Sequence, residues 1–325
     1  MPAIVTRGAI SAQGFGFGRA SAGGGDGTVG IFALGNTSTT RNKYVYATCS
    51  NVVCGVASSS ATSGSGAAAG NSVNGIFALG ATPTRSTIRN KYTYATDSST
   101  TSGVGCASAA SLGGSAAGNK TIGIFALGFL SCPIGKSTTR DKYTYSTCSS
   151  TSVGVAGASS RSYYGSAVGN STRGIFALGC AACGPTNIRN KYIYSCCTST
   201  ASGVGSASAN SKLSSAAGNS SNGIFALGVD CVCALLSTRD KYTYSLCTST
   251  SSGVGTASSI SYAGAAAGNS SRGIFALGGV TGFSPSSTRN KYTYSSCTST
   301  ACGVAASSAV SRFGSAASWA TGVNV

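Results

Sequence analysis

The sequence predicts an all-β fold built of six four-stranded antiparallel units in one domain. Three observations carry this. GIFALG occurs six times, starting at Gly30, Gly75, Gly123, Gly174, Gly223 and Gly273. Each copy is followed by an Arg-(Asn/Asp)-Lys-Tyr-x-Tyr hexamer, so the chain repeats with a period near 50 residues. No segment keeps a helical period over ten residues. A period of this length sustained along a chain makes the repeat the unit of the fold.

The fourth unit shows the elements in order. It opens on Gly165-Ser-Ala-Val-Gly-Asn170, continues with Gly174–Gly179 and Arg189–Ser195, and ends on Ser202-Gly-Val-Gly-Ser206. Four short runs divided by Gly, Ser, Thr, Asn and Pro read as a meandering antiparallel sheet. The opening strand is Ala-Ala-Gly or close to it, as in Ala67–Gly70 and Ala266–Gly268. Side chains this small fit where sheets converge, next to a central axis. In the hexamer strand, alternation sends Arg189, Lys191 and Ile193 one way and Asn190, Tyr192 and Tyr194 the other. The tyrosine pair supplies 12 of the 15 tyrosines. Such a stripe is expected to pack between neighbouring sheets, with its hydroxyls satisfied at the margin.

Composition narrows the function. The 325 residues are 42% hydrophobic with 47 glycines, which suits thin, closely packed sheets. Charge is sparse and one-sided: 22 Lys and Arg against 5 acids, net +17, with no His. This balance favours a polyanionic partner. Twelve of the 22 bases belong to the hexamer, so repetition inflates the total, and acidic glycans or an acidic protein surface are expected rather than nucleic acid. No run of 18 apolar residues occurs, so no membrane insertion is expected. The first 18 residues lack an apolar core of the secretory type. The chain is expected to stay where it is made or to leave by lysis.

Catalysis lacks candidates. The five acids are Asp26, Asp97, Asp141, Asp230 and Asp240, scattered over the units, and no base is available to activate a nucleophile. No cofactor is expected, and a zinc site lacks ligands, with no His and no second CxxC. Five of the 14 cysteines, Cys49, Cys148, Cys197, Cys247 and Cys297, share one repeat position, where the second unit has Asp97. Equivalent positions in a ring lie too far apart to bond, so these are expected to be free thiols. Cys180 with Cys183, and Cys231 with Cys233, are close enough in sequence to pair locally.

Four strands per unit, about 50 residues per unit and six units resemble a kelch-like six-bladed β-propeller. The matching elements are Ile-Phe-Ala-Leu-Gly and the later Lys-Tyr strand. The glycine doublet of that family survives only at Gly278-Gly279, and its later Trp is missing from every unit. The wording of the repeat, Ala-Ala-Gly-Asn-Ser-x-x-Gly-Ile-Phe-Ala-Leu-Gly and then Thr-Arg-Asp-Lys-Tyr-Thr-Tyr, resembles kelch-like virion proteins of tailed bacteriophages, as does Gly14-Phe-Gly-Phe-Gly18. That resemblance implies a non-enzymatic structural or attachment protein of a virion, assembled in the host cytoplasm. Its implied partners are other virion proteins or host-surface acidic glycans; self-association is a further possibility. The alternatives are a lectin-type propeller of cellular origin with six equivalent sugar sites, and an intracellular adaptor.

A ring must close. Gly314-Ser-Ala-Ala-Ser318 copies an opening strand after the sixth unit, so 314–321 is expected to complete the first blade. The domain is then 20–325, with 1–19 as an arm or second closing segment. Two connections vary between units: the one after GIFALG and the one before the opening strand. Both emerge on the same face of an up-and-down blade. The second carries the candidate binding residues Arg161, Tyr163, Tyr164, Lys212, Tyr262, Arg312 and Phe313. The hexamers offer another candidate, a basic girdle of Arg41, Lys43, Arg89, Lys91, Arg140, Lys142, Arg189, Lys191, Arg239, Lys241, Arg289 and Lys291.

Overall fold

A computed structural model describes residues 28–35, 38–81, 84–130, 135–181, 184–281 and 284–318. The proposed arm, 1–19, lies outside them. The chain forms six blades of four antiparallel strands around an axis, a six-bladed β-propeller. Blade four runs outward as Ser166–Gly169, Arg173–Ala177, Arg189–Ile193 and Thr198–Thr200. Blades two, three, five and six open on Ala67–Gly70, Ser115–Gly118, Ser215–Gly218 and Ala265–Gly268. Blade one takes its innermost strand from the other end of the chain: Ser315–Ser318 pairs antiparallel with Val29–Ala33.

The outermost strand begins earlier than the spacing predicts. It is Thr198–Thr200, whereas Ser202 and Gly203 form a turn with Gly203 at φ 67°. Cys197 at φ 55° closes the hairpin within four residues, so the β-branched Thr198-Ser-Thr200 pairs at once with Lys191–Ile193.

Six equivalent apolar clusters hold the blades together, and each is shared by two blades. Ala117 and Ile124 of blade three meet Phe176, Tyr192 and Tyr194 of blade four. Ala265, Ala267 and Ile274 of blade six meet Phe32, Tyr44 and Tyr46 of blade one, so the same contact closes the ring. Within a blade the two tyrosine rings lie 5.7–6.1 Å apart (Tyr44–Tyr46 and Tyr192–Tyr194), an edge-on or tilted geometry contributing about 0.5–1.5 kcal/mol beyond area burial.

The tyrosine hydroxyls are not all satisfied at the margin. Tyr92 donates to Asp97 Oδ1 at 2.7 Å. Tyr94, Tyr145, Tyr194, Tyr244 and Tyr294 bury their hydroxyls with no nitrogen or oxygen partner among the described residues. The reason is depth. Each of these tips reaches the start of its own second strand, where a Cβ on Gly75 would sit 2.9 Å from Tyr94 Oη. The first glycine of GIFALG therefore makes room for the tyrosine two strand positions along the hexamer. Burial pushes the Tyr94 hydroxyl well above its ordinary range, with the neighbouring phenols Tyr145 and Tyr46 adding to the shift.

Candidate functional site

The hexamer arginines belong to the frame and not to an accessible girdle. Arg41, Arg89, Arg140, Arg189, Arg239 and Arg289 are each 1% exposed. Every one reaches into the next blade. Arg140 Nη1 donates to Gly157 O at 3.0 Å and Ser199 Oγ at 2.7 Å, Nη2 donates to Asn190 Oδ1 at 3.2 Å, and the guanidinium lies 4.5 Å over the Phe176 ring. Arg289 Nη2 donates to Asn42 Oδ1 and closes the circuit. In two blades the acceptor is a carboxylate: Arg89–Asp141 and Arg189–Asp240, both 2.8 Å and fully buried. Burial lowers the arginines, Arg140 to about 10, while Asp141 and Asp240 work against that shift at Arg89 and Arg189.

The hexamer lysines are half-buried, and four of them lean on the next blade. Lys43 pairs with Asp97, and Lys91, Lys191 and Lys241 lie 3.6–3.9 Å from the sulfurs of Cys148, Cys247 and Cys297. Lys142 and Lys291 occupy equivalent strand positions. These contacts lie towards the face of tight hairpins. That face is regular: Asn170 Oδ1 accepts from Thr172 N and Arg173 N, and its Nδ2 donates to Ser220 O of the next blade at 3.1 Å. Asn71, Asn119 and Asn219 repeat the bridge. A groove of about 440 Å³ there holds Arg272 and Lys291, but Arg272 already donates to Tyr46 O at 3.0 Å.

The opposite face is different. Both variable connections emerge there and pair with one another, as at Tyr163 with Cys180, Lys212 with Val229 and Tyr262 with Gly279. At its centre, one residue per blade stands just before the innermost strand: Ser65, Gly113, Tyr164, Leu213, Ala263 and Phe313. All six have φ between 53° and 66°. Their amides and carbonyls form a closed head-to-tail circuit. Gly113 N donates to Ser65 O, Tyr164 to Gly113, Leu213 to Tyr164, Ala263 to Leu213, Phe313 to Ala263 and Ser65 to Phe313, at 2.6–2.9 Å. The last glycine of GIFALG braces this circuit. Gly80, at φ 72°, brings its Cα so close that a Cβ would sit 2.8 Å from the Ser65 carbonyl. Left-handed backbone costs a non-glycine residue about 1–2 kcal/mol, and the six hydrogen bonds around the axis offset it.

Because the circuit is made by backbone, its side chains can differ, and they do. Tyr164 and Phe313 come from blades on opposite sides of the axis, and their ring centroids meet 6.3 Å apart. Gly113 allows this: a Cβ there would lie 2.7 Å from Tyr164 Cδ1. Phe129, Tyr163, Tyr164, Phe313 and Tyr262 form one chain of ring contacts across the face. Cations flank it. Arg85 lies 4.7 Å over Phe129, Lys136 5.4 Å over Tyr163, and Arg312 5.6 Å over Phe313 while donating to Tyr262 Oη. Five of the seven candidate residues, Tyr163, Tyr164, Tyr262, Arg312 and Phe313, are thus brought together. Arg161 stands exposed in the same connection as Tyr163, and Lys212 is tied through its backbone to Val229. Phe129, Arg85 and Lys136 were not singled out from sequence, because each is isolated in a loop whose length changes between units. The acid described on these connections, Asp230, accepts from Val232 N and Ala234 N of its own loop.

Cys231 and Cys233 are free exposed thiols, and Cys180 is a buried free thiol; Cys183 lies outside the described residues. Cys233 takes φ 62°, and Asp230 holds the surrounding turn. Among the described residues no three Cys or Asp side chains gather in a metal-binding group. Neither a family model nor a curated protein sequence matches the chain.

Proposed function

We propose that this propeller is a non-enzymatic structural or attachment protein of a tailed-bacteriophage virion, and that it docks through the face carrying the variable loops. One observation carries the docking part of this reading: the half-buried aromatic chain from Phe129 through Tyr163 and Tyr164 to Phe313, backed by the buried Tyr262 and flanked by Arg85, Lys136 and Arg312. Aromatic faces with nearby cations suit sugar rings bearing carboxylate or sulfate, and they equally suit an acidic protein surface. The virion part rests on the resemblance of the repeat to phage kelch-like proteins. A single asymmetric patch favours one docking site per chain over the six equivalent sites of a lectin, because six different residues occupy the axial positions.

Mass spectrometry of purified phage particles from the source tests the location. The chain is expected among the structural proteins, and its consistent absence would overturn the virion reading. Binding of the isolated protein to acidic glycans and to particle proteins tests the face. Phe313→Ala and Tyr163→Ala are expected to lower binding at least tenfold while the protein stays folded. Undiminished binding by both would overturn the assignment of this face.

A further inference from the structure

Five cysteines share one hairpin position, and four of them lie beside a cation of the preceding blade. Cys49, Cys148, Cys197, Cys247 and Cys297 each occupy the last position of the hairpin between the third and outermost strands, at φ 52–55°. The second blade has Asp97 at the same position and φ 50°. There the carboxylate does two things. Oδ1 accepts from the Tyr92 hydroxyl at 2.7 Å, and Oδ2 pairs with Lys43 of the preceding blade. In blades three, five and six the same two groups, a lysine and a tyrosine, face a thiol. Lys91 Nζ is 3.7 Å from Cys148 Sγ, Lys191 3.9 Å from Cys247 and Lys241 3.6 Å from Cys297. Arg272 Nη1 is 3.6 Å from Cys49, and Arg173 Nη1 is 3.7 Å from Cys247. Among the described residues Cys197 has no cation this close.

A second observation points the same way. The hydroxyls of Tyr44, Tyr143, Tyr192, Tyr242 and Tyr292 are the counterparts of Tyr92. These residues are fully buried, and among the described residues no oxygen or nitrogen accepts from their hydroxyls, whose partner is the thiol of their own blade. The thiol of the same blade is their neighbour in the direction where Asp97 stands in blade two. A thiol sulfur is a weak acceptor for a buried hydroxyl, and it offers a half-buried ammonium far less than a carboxylate does. Each site lacks a pair of anionic oxygens on the atom that Asp97 supplies as carbon.

We propose that Cys49, Cys148, Cys247 and Cys297 are oxidative modification sites, converted by a hydroperoxide to sulfinates that complete the inter-blade contact blade two already has. The chemistry balances in two steps. The thiol sulfur attacks one peroxide oxygen, the O–O bond breaks, sulfur is oxidised to the sulfenic acid and the peroxide is reduced to water. A second hydroperoxide adds the second oxygen, releases a second water and leaves a sulfinic acid, whose proton goes to solvent. One sulfinate oxygen accepts from the tyrosine hydroxyl and the other faces the lysine or arginine of the preceding blade. Oxidation then strengthens the ring, where for most buried thiols it would disrupt packing.

The test uses the full chain with its exposed cysteines changed to serine, treated with hydrogen peroxide and followed by peptide mass spectrometry and thermal unfolding. The expected result is two added oxygens at Cys148, Cys247 and Cys297 ahead of Cys197, with a melting temperature raised by roughly 2–4 °C. Cys148→Asp with Cys297→Asp is expected to give a similar rise without peroxide, and Asp97→Cys to lose stability that peroxide restores. A melting temperature that falls as these sites gain oxygen would overturn the proposal. So would oxidation of Cys197 ahead of the three, or aspartate variants no more stable than the parent.

Discussion

The two faces of this ring are built on one backbone and differ in what the repeat holds constant. On the hairpin face the side chains make the links between blades. Asn170 bridges to Ser220, Lys91 reaches Cys148, and the same residue types recur from blade to blade. At the centre of the loop face the backbone makes the links. The six-membered circuit from Ser65 to Phe313 needs only amides, carbonyls and a left-handed turn, so six different residues occupy it. Sequence variation therefore marks the place where the frame closes without help from side chains, and that place holds the aromatic chain.

If this contrast is right, damage to the frame unfolds the protein and damage to the face does not. The largest effect is expected at the buried arginines. Arg89→Leu strands the Asp141 carboxylate inside the ring and is expected to cost about 3–5 kcal/mol. Arg140→Leu leaves only neutral acceptors, Asn190 Oδ1, Gly157 O and Ser199 Oγ, and is expected to cost about 1–3 kcal/mol. Urea unfolding of the two variants checks the order, and equal losses would show that the carboxylate is not what makes Arg89 special.

Alkali attacks the same frame through its phenols. Tyr94, Tyr145, Tyr194, Tyr244 and Tyr294 are all raised by burial. Their folded pKa lies above the unfolded value near 10, so the folded state binds more protons at high pH. Stability is then full below pH ~10 and is lost as pH rises above it, by about 1.4 kcal/mol per unit for each tyrosine. Phenolate absorbance is expected to appear abruptly, together with unfolding; a gradual titration of the folded protein would contradict the burial.

Smaller effects separate the circuit from its side chains. Gly80→Ala forces a Cβ to 2.3 Å from Gly64 O and is expected to cost about 1–3 kcal/mol. Ala263→Gly, by contrast, relieves a left-handed alanine at φ 53° and is expected to change stability by at most about 1 kcal/mol, in the stabilising direction. The smallest effect on stability is expected from Arg161→Gln, an exposed residue whose loss stays within about 0.5 kcal/mol in thermal unfolding.

Much of the frame was legible because the repeat spelled it. GIFALG, the hexamer and Ala-Ala-Gly marked three strands of every blade, and Ser315-Ala-Ala-Ser318 marked the closing one. The outermost strand was misplaced because Thr198-Ser-Thr200 is short and polar, and because a cysteine in a left-handed turn leaves no glycine to announce the hairpin. The arginines looked like surface charge since their acceptors belong to the next blade, some 50 residues away. The axial circuit left no motif at all: its bonds are between backbone atoms, and Ser, Gly, Tyr, Leu, Ala and Phe share no chemistry.

Hydrogen exchange at the six axial amides tests the central claim most directly. Ser65, Gly113, Tyr164, Leu213, Ala263 and Phe313 lie in connections that vary in sequence, yet each donates around a closed ring. The amides are expected to exchange together and as slowly as those of the buried hexamer strands, through global unfolding only. Exchange as fast as that of the neighbouring loops would mean that the ring does not close on its own backbone, and that the loop face is not the fixed platform described.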